Sequence, residues 1–220
     1  WTYADLAREV ARIAGGVDRI LGHRLGQPVA LLADHDSALV AAVLGIIASG
    51  QVVVILDPQS PQEQTELVVQ EANPALVLSD QVHRSAAIGF AGTVKSMHLA
   101  LEDLHGEFAG PPELGWGAPM MLAFTSGTSG TPKGAIVNHG VLSNTVRGAT
   151  VALGIGPDDR MPMLFPTSLA VAAYPMFIPL LNGGTLATLD VRSVGLAPVA
   201  DFLANERITL AYMAPTVVRF

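Results

Sequence analysis

From Ser37 to Leu56 the chain carries no charged residue, a run long enough to cross a bilayer, yet Ser49-Gly50-Gln51 interrupts it with a turn signal. The pattern therefore predicts a buried helix over Ser37–Ala48 and a strand over Val52–Leu56. A second uncharged run, Met161 to Leu189, is broken by Pro162, Pro166, Pro175, Pro179 and Asn182-Gly183-Gly184, which suits a packed interior or a ligand wall better than lipid. No basic n-region precedes an apolar run at the start, so nothing reads as a secretory signal.

The helix–strand rhythm continues on both sides. Thr2 with Asp5 makes a capping-box start, and Leu6, Val10, Ile13, Val17 and Ile20 recur at helical spacing, predicting a helix over residues 3–21 that Gly15-Gly16 weakens. Strands are expected at 28–33 and 75–79, with a helix at 59–73 stopped by Pro74. Residues 105–119 hold seven Gly and Pro and mark a surface connection, so the division expected is 1–110 and 111–220. Beyond it, strands are expected at 120–125, 135–138, 163–165, 185–189 and 209–213. Helices are expected at 141–153, at 169–181 with a disturbance at Pro175, and at 196–206. The fold class that follows is α/β, in layers, with largely parallel sheets and flanking helices.

Composition narrows the function. Half of the 220 residues are hydrophobic and mean hydropathy is +0.44, ample for a core. A net charge of −7 with 14% charged residues argues against nucleic acid as a partner. The absence of cysteine excludes disulfides, thiolate metal sites and a cysteine nucleophile, and fits a cytoplasmic compartment. His23, His35, His83, His98 and His105 show no metal spacing with carboxylates on one helix face, His139 after a strand reads as a structural helix-start residue, and Asp158-Asp159 after Gly156-Pro157 reads as a solvated turn.

Residues 122–134, Leu-Ala-Phe-Thr-Ser-Gly-Thr-Ser-Gly-Thr-Pro-Lys-Gly, are where chemistry concentrates. Gly127, Gly130 and Gly134 permit close backbone approach to a ligand. The hydroxyls of Thr125, Ser126, Thr128, Ser129 and Thr131 donate to phosphate oxygens, and Lys133, one of only two lysines, adds a point charge. Pro132 stiffens the turn. It is not a Walker A loop: Pro132 stands where the second glycine belongs and Gly134 where the metal-binding Ser/Thr belongs. An ordinary Ser/Thr/Gly hairpin turn with no ligand fits the same composition.

SGTSGTPKG after an apolar strand, followed by Ala-Ile-Val-Asn-His, resembles the phosphate loop of the adenylate-forming superfamily: acyl-CoA synthetases, luciferases and nonribosomal peptide synthetase adenylation domains. Trp1–Leu6, Leu44–Pro58, Leu180–Gly184 and Ile208–Thr216 resemble further family segments in the same order. The resemblance implies the first half of the large N-terminal domain, in two subdomains, without the C-terminal lid. Trp1 and Phe220 fit an excised piece.

What the resemblance implies is ATP-dependent activation of a carboxylate, giving an acyl-adenylate and pyrophosphate and then a thioester on a phosphopantetheine carrier protein or coenzyme A. Thr125, Ser126, Gly127, Thr128, Ser129, Gly130, Thr131, Lys133 and Gly134 would hold the nucleotide, with Lys133 and Thr125 in catalytic roles. The Mg2+ ligand, the adenine-stacking aromatic, the ribose-binding aspartate and the lid lysine would follow later, so this piece alone is expected not to turn over.

Phe165, Pro166, Thr167, Ala170 and Tyr212 would line the acyl pocket, although core packing explains the same residues. Amino-acid-activating members carry Phe-Asp-x-Ser where this chain has Phe165-Pro166-Thr167-Ser168, and Pro166 cannot pair an ammonium. Burying that ammonium unpaired is costly, so the expected acid lacks an α-amino group. The alternatives are an amino-acid-activating domain, a non-catalytic interaction platform, or another phosphate-binding enzyme such as a kinase.

Overall fold

A computed structural model describes residues 1–125 and 132–218, and contacts divide it into two units, Trp1–His139 and Gly140–Phe220.

The first unit opens on α1 (Tyr3–Leu21). Thr2 caps it as the sequence predicts: Asp5 N–H donates to Thr2 Oγ1 at 3.2 Å and Thr2 N–H to Asp5 Oδ2 at 3.0 Å. That pairing, with Arg8 nearby, lowers the Asp5 carboxyl to about 2. Gly15-Gly16 does not interrupt α1, because both glycines make room for a neighbour: a Cβ on Gly15 would lie 2.6 Å from Gly106 O.

Then follow β1 (Pro28–Leu32), α2 (Ser37–Ala48), β2 (Val52–Leu56), α3 (Gln62–Ala72) and β3 (Leu76–Ser79). The helix expected from Gln59 begins three residues later because Asp57–Ser60 forms a turn, with Ser60 N–H donating to Asp57 O at 3.1 Å. Two further elements, α4 (Arg84–Thr93) and β4 (Met97–Ala100), were not predicted. α4 presents only Ala87, Phe90 and Ala91 to the core and lacks a side-chain cap, so neither periodicity nor capping announces it.

β5 (Pro119–Thr125) and β6 (Lys133–Asn138) complete a six-stranded sheet in the order β4-β3-β1-β2-β5-β6, parallel except for β6. Side chains alternate between its faces. On one face Ala30, Leu32, Val54, Leu56 and Val77 pack with Val69 and Ala72 of α3 and with Ala87, Phe90 and Ala91 of α4. α1 packs on α2, and α2 meets β1 and β2, which leaves the alternate residues Val29, Leu31, Val53 and Ile55 for the other face, all buried. A sheet covered on both sides explains why β1 and β2 read as continuous apolar runs. Because β5 hydrogen bonds with this sheet, the first unit extends through His139 rather than ending near residue 110.

The second unit is built from α5 (His139–Leu153), β7 (Arg160–Met163), α6 (Ala173–Leu181), β8 (Thr185–Thr188), α7 (Val191–Val194), α8 (Val199–Asn205) and α9 (Pro215–Val218). β7 and β8 pair in parallel, and β7 ends at Met163 where a strand at 163–165 was expected. Pro175 lies in the first turn of α6, where a missing N–H breaks no helical bond; the change of winding falls upstream, in a 3-10 turn at Ala170–Ala172. The expected strand at 209–213 does not form: Thr209 and Leu210 both donate to Arg160 O, at 3.0 and 3.3 Å, and the ladder goes no further. Among the described residues no helix is long and apolar enough to cross a membrane.

Candidate functional site

The glycine-rich segment joins β5 to β6, which pair antiparallel. Phe124 faces Gly134 and Thr125 faces Lys133, the last pair of the ladder. Ser126, Gly127, Thr128, Ser129, Gly130 and Thr131, all predicted to hold phosphate, lie outside the described residues, as does the Thr125 side chain.

Topology fixes where this segment begins. β5 runs parallel to β2, so Thr125 ends on the same sheet edge as Leu32, Leu56 and Ser79, the carboxyl edge at which open α/β sheets bind ligands. Pro132 is buried and Lys133 exposed. Gly134 has a second reason to be glycine: a Cβ there would meet Leu122 Cδ1 at 2.9 Å and Phe124 Cε1 at 3.3 Å, so its small size admits cross-strand packing. None of Pro132, Lys133 and Gly134 is a carboxylate, so these described residues offer no hard anionic ligand for Mg2+.

His139 follows directly, its N–H donating to Ala118 O at 3.1 Å. Burial holds its imidazole below the usual histidine value. That is the behaviour of a half-buried helix-start residue.

In the second unit the structure brings Phe165 and Tyr212 together, ring centroids 5.5 Å apart and planes tilted by 39°. Pro166 opens a turn whose Leu169 N–H returns to Pro166 O at 3.1 Å. Thr167 is buried within that turn, and Ala170 begins the 3-10 turn after it.

The segment that leads to Tyr212 is tied to β7 through Arg160. Arg160, at the start of β7, donates from Nη2 to Glu206 Oε2 at 2.9 Å, from Nη1 to Thr185 Oγ1 at 3.3 Å, and from Nε to Glu206 O. Its own N–H donates to Thr209 Oγ1 at 3.0 Å, and that hydroxyl donates to Asp159 Oδ1 at 2.7 Å. Asp159 also accepts from Gly156 N–H at 2.9 Å, and these bonds, Gly156 first, depress its pKa. The Asp158-Asp159 pair is thus half structural: Asp159 ties the 206–212 segment to β7, while Asp158 is exposed. A lone arginine after a turn has no sequence signature for this work.

Known proteins resemble this chain along its whole length. Nonribosomal peptide synthetase 5 of Gibberella zeae is 30% identical over 220 residues, all of this chain and 2% of that protein. L-proline--[L-prolyl-carrier protein] ligase of Streptomyces coelicolor is 26% identical over 240 residues, covering 99% of this chain and 45% of the ligase. The crystal structure of the nonribosomal peptide synthetase FmoA3 (S1046A) superposes with a TM-score of 0.86 at 26% identity, covering 99% of this chain and 23% of that one. ATP-bound MatB from Rhodopseudomonas palustris shares the fold, with a TM-score of 0.80 at 20% identity over 98% of this chain and 44% of MatB. The chain spans less than half the length of each of these relatives. With the AMP-binding enzyme family matching over residues 1–220, this chain belongs to that family of adenylate-forming enzymes.

Proposed function

We propose that the chain supplies the phosphate-gripping part of an ATP-dependent enzyme that activates a carboxylic acid lacking an α-amino group. The supporting observation is the glycine-rich segment between Thr125 and Lys133, carried on the carboxyl edge of a parallel sheet. When ATP is bound, the substrate carboxylate displaces pyrophosphate from its α-phosphate and forms an acyl-adenylate. The residues from Thr125 to Thr131 and Gly134 hold the β- and γ-phosphates, and Lys133 with Thr125 offsets negative charge as pyrophosphate leaves. Mg2+ would be held by a ligand outside this chain and would help to offset the phosphate charge. The acyl group then passes to a phosphopantetheine carrier protein or to coenzyme A, and the isolated chain does not turn over.

The choice of acid rests on the Phe165–Ala170 turn and Tyr212. Pro166 offers no charge. The carboxylates of the second unit are committed elsewhere or solvated: Asp159 to Gly156 and Thr209, Asp190 to Ser193, Glu206 to Arg160, with Asp158 and Asp201 exposed. An amino-acid-activating role is the second reading, favoured by the likeness to a ligase named for L-proline.

ATP–pyrophosphate exchange by the full-length protein, run against panels of amino and non-amino acids, separates the two. Aryl, keto, hydroxy or fatty acids should drive exchange, and exchange with α-amino acids alone refutes the substrate reading. Lys133→Ala should lower the exchange rate about 10²–10³-fold, the usual loss on removing one preorganised donor to a developing charge. An unchanged rate removes Lys133 from the mechanism.

A further inference from the structure

The strand order of the first unit creates a second crevice, away from the hairpin. From β1 the chain crosses through α2 to β2 on one side, whereas from β3 it turns through α4 to β4 on the other. Neighbouring strands whose connections leave in opposite directions open a gap beyond their carboxyl ends, the usual place for a ligand in an open α/β sheet. In this gap stand Asp34, just after β1, Asp80, the first residue after β3, and His83, which precedes α4.

We propose that Asp34, Asp80 and His83 form a binding site for a divalent first-row transition-metal ion of the zinc type. One ligand atom from each residue lies within 4.8 Å of the other two. His83 Nε2 is 2.9 Å from Asp34 Oδ1 and 3.9 Å from Asp80 Oδ2. Ligands held tetrahedrally at 2.0–2.2 Å from zinc are separated by roughly 3.3–3.6 Å, so the two observed distances bracket the required edge.

Both carboxylates meet at one imidazole nitrogen, the position a metal takes when it displaces the bridging proton. Among the described residues no lysine or arginine forms an ion pair with Asp34 or Asp80; the adjacent Arg84 turns to Asp103 instead, at 3.9 Å. Two close carboxylates without a fixed cation present a concentrated negative field.

The ligands are oriented before any ion arrives. Asp80 Oδ1 accepts His83 N–H at 2.8 Å and its Oδ2 accepts Asp34 N–H at 2.9 Å, so backbone from both loops fixes that carboxylate while each oxygen keeps further acceptor capacity. Asp80 and His83 are 19% exposed and Asp34 is 60% exposed, which closes the site beneath and leaves it open on one side. His83 also lines a separate cavity of about 470 Å³ with Leu32, Asp57, Glu66 and Phe90, which neither aspartate borders. Two carboxylates and one imidazole with an open position suit zinc or manganese better than calcium or magnesium, which take oxygen alone. Sequence spacing hides the set because Asp34 and Asp80 are separated by α2, β2, α3 and β3.

The test is calorimetric titration of the intact, chelator-treated protein with zinc chloride, alongside Asp34→Asn, His83→Gln and the control His23→Gln. One equivalent should bind, weakened at least tenfold by Asp34→Asn and by His83→Gln and unchanged by His23→Gln. Asp80 is left in place because it holds two backbone N–H groups. No binding, or binding that both site variants leave intact, overturns the proposal. Should His83→Gln fail to fold, diethylpyrocarbonate labelling of His83 in the unaltered protein decides: protection by zinc supports the site, and equal labelling with and without zinc overturns it.

Discussion

Replacing Gly15 by alanine should destabilise the first unit even though it improves a helix. Alanine is worth about 1 kcal/mol over glycine in a helix interior. Against that gain stands the backbone crossing α1, since the new Cβ would lie 2.6 Å from Gly106 O, 2.7 Å from Gly106 C and 2.8 Å from Glu107 C. Attractive carbon contacts need about 3.5–4.0 Å, so the crossing segment must retreat by roughly 1 Å. Overpacking of this kind costs about 1–3 kcal/mol.

The same retreat strains the bonds that Arg12 Nη1 donates to Leu101 O and Leu104 O, both 2.8 Å, each a charged hydrogen bond worth about 1.5–3 kcal/mol when fully desolvated and less here because Arg12 is half-buried. Overpacking of about 1–3 kcal/mol less about 1 kcal/mol for alanine leaves about 0–2, and about 1 kcal/mol of weakened Arg12 bonding brings the expected loss to about 1–3 kcal/mol. Gly89→Ala in α4 is the matched control: nothing lies within 4 Å of its Cβ position, so it should raise stability by about 1 kcal/mol. Urea unfolding with unchanged m-values and opposite shifts in midpoint is the expected result. If Gly15→Ala is as stable as the parent, or more so, the 104–107 segment does not pack on α1 as described.

Two further outcomes follow from charge. Burial first, then the Arg84 charge, lowers the His98 pKa against a smaller opposing effect of Asp103, and burial lowers that of His139. Both therefore bind fewer protons folded than unfolded, so their contribution is complete above the ordinary value of 6.5 and is lost as pH falls through the folded values. Urea midpoints should drop between neutral pH and about pH 5, and His98→Asn should flatten the fall; a midpoint that rises on acidification contradicts this. Asp5, held at about 2, should matter only in far stronger acid. Arg160→Met should cost about 1–3 kcal/mol and speed tryptic cleavage at Arg207, because Glu206 and the segment after it lose their tie to β7. Unchanged cleavage would show that Asp159 and Thr209 hold the segment unaided.

How legible this was in the sequence depends on the kind of signal. α1 and α2 announced themselves by capping, periodicity and a turn, and their observed bounds are those expected. Short elements with small side chains gave no such signal. α4 buries two alanines and one phenylalanine, and β4 leaves Met97 exposed at a sheet edge, so neither has a period to read. The strand expected at 209–213 had the right residues but only one carbonyl, that of Arg160, to pair with, and a ladder needs a partner strand as well as β propensity. Of the site residues, Phe165 and Tyr212 were named together and do touch, whereas Arg160 and Asp159, which set the segment bearing Tyr212, act through bonds between distant positions.

The glycine-rich segment owes its place to topology more than to its own composition. A glycine- and hydroxyl-rich turn anywhere on a surface is an unremarkable loop. This one stands at the carboxyl edge because the chain, having built β4 at one side of the sheet, crosses to the opposite side and lays β5 parallel to β2, so that β5 ends where β1, β2 and β3 end. β6 then returns antiparallel, and Gly134 lets Phe124 lie across it, fixing the register that puts Lys133 opposite Thr125. A one-residue slip in that ladder would carry Lys133 to the other face of the sheet. In the proposed reading Gly134 therefore acts twice, as part of the loop and through strand register, and enlarging it should impair nucleotide binding by displacing Lys133.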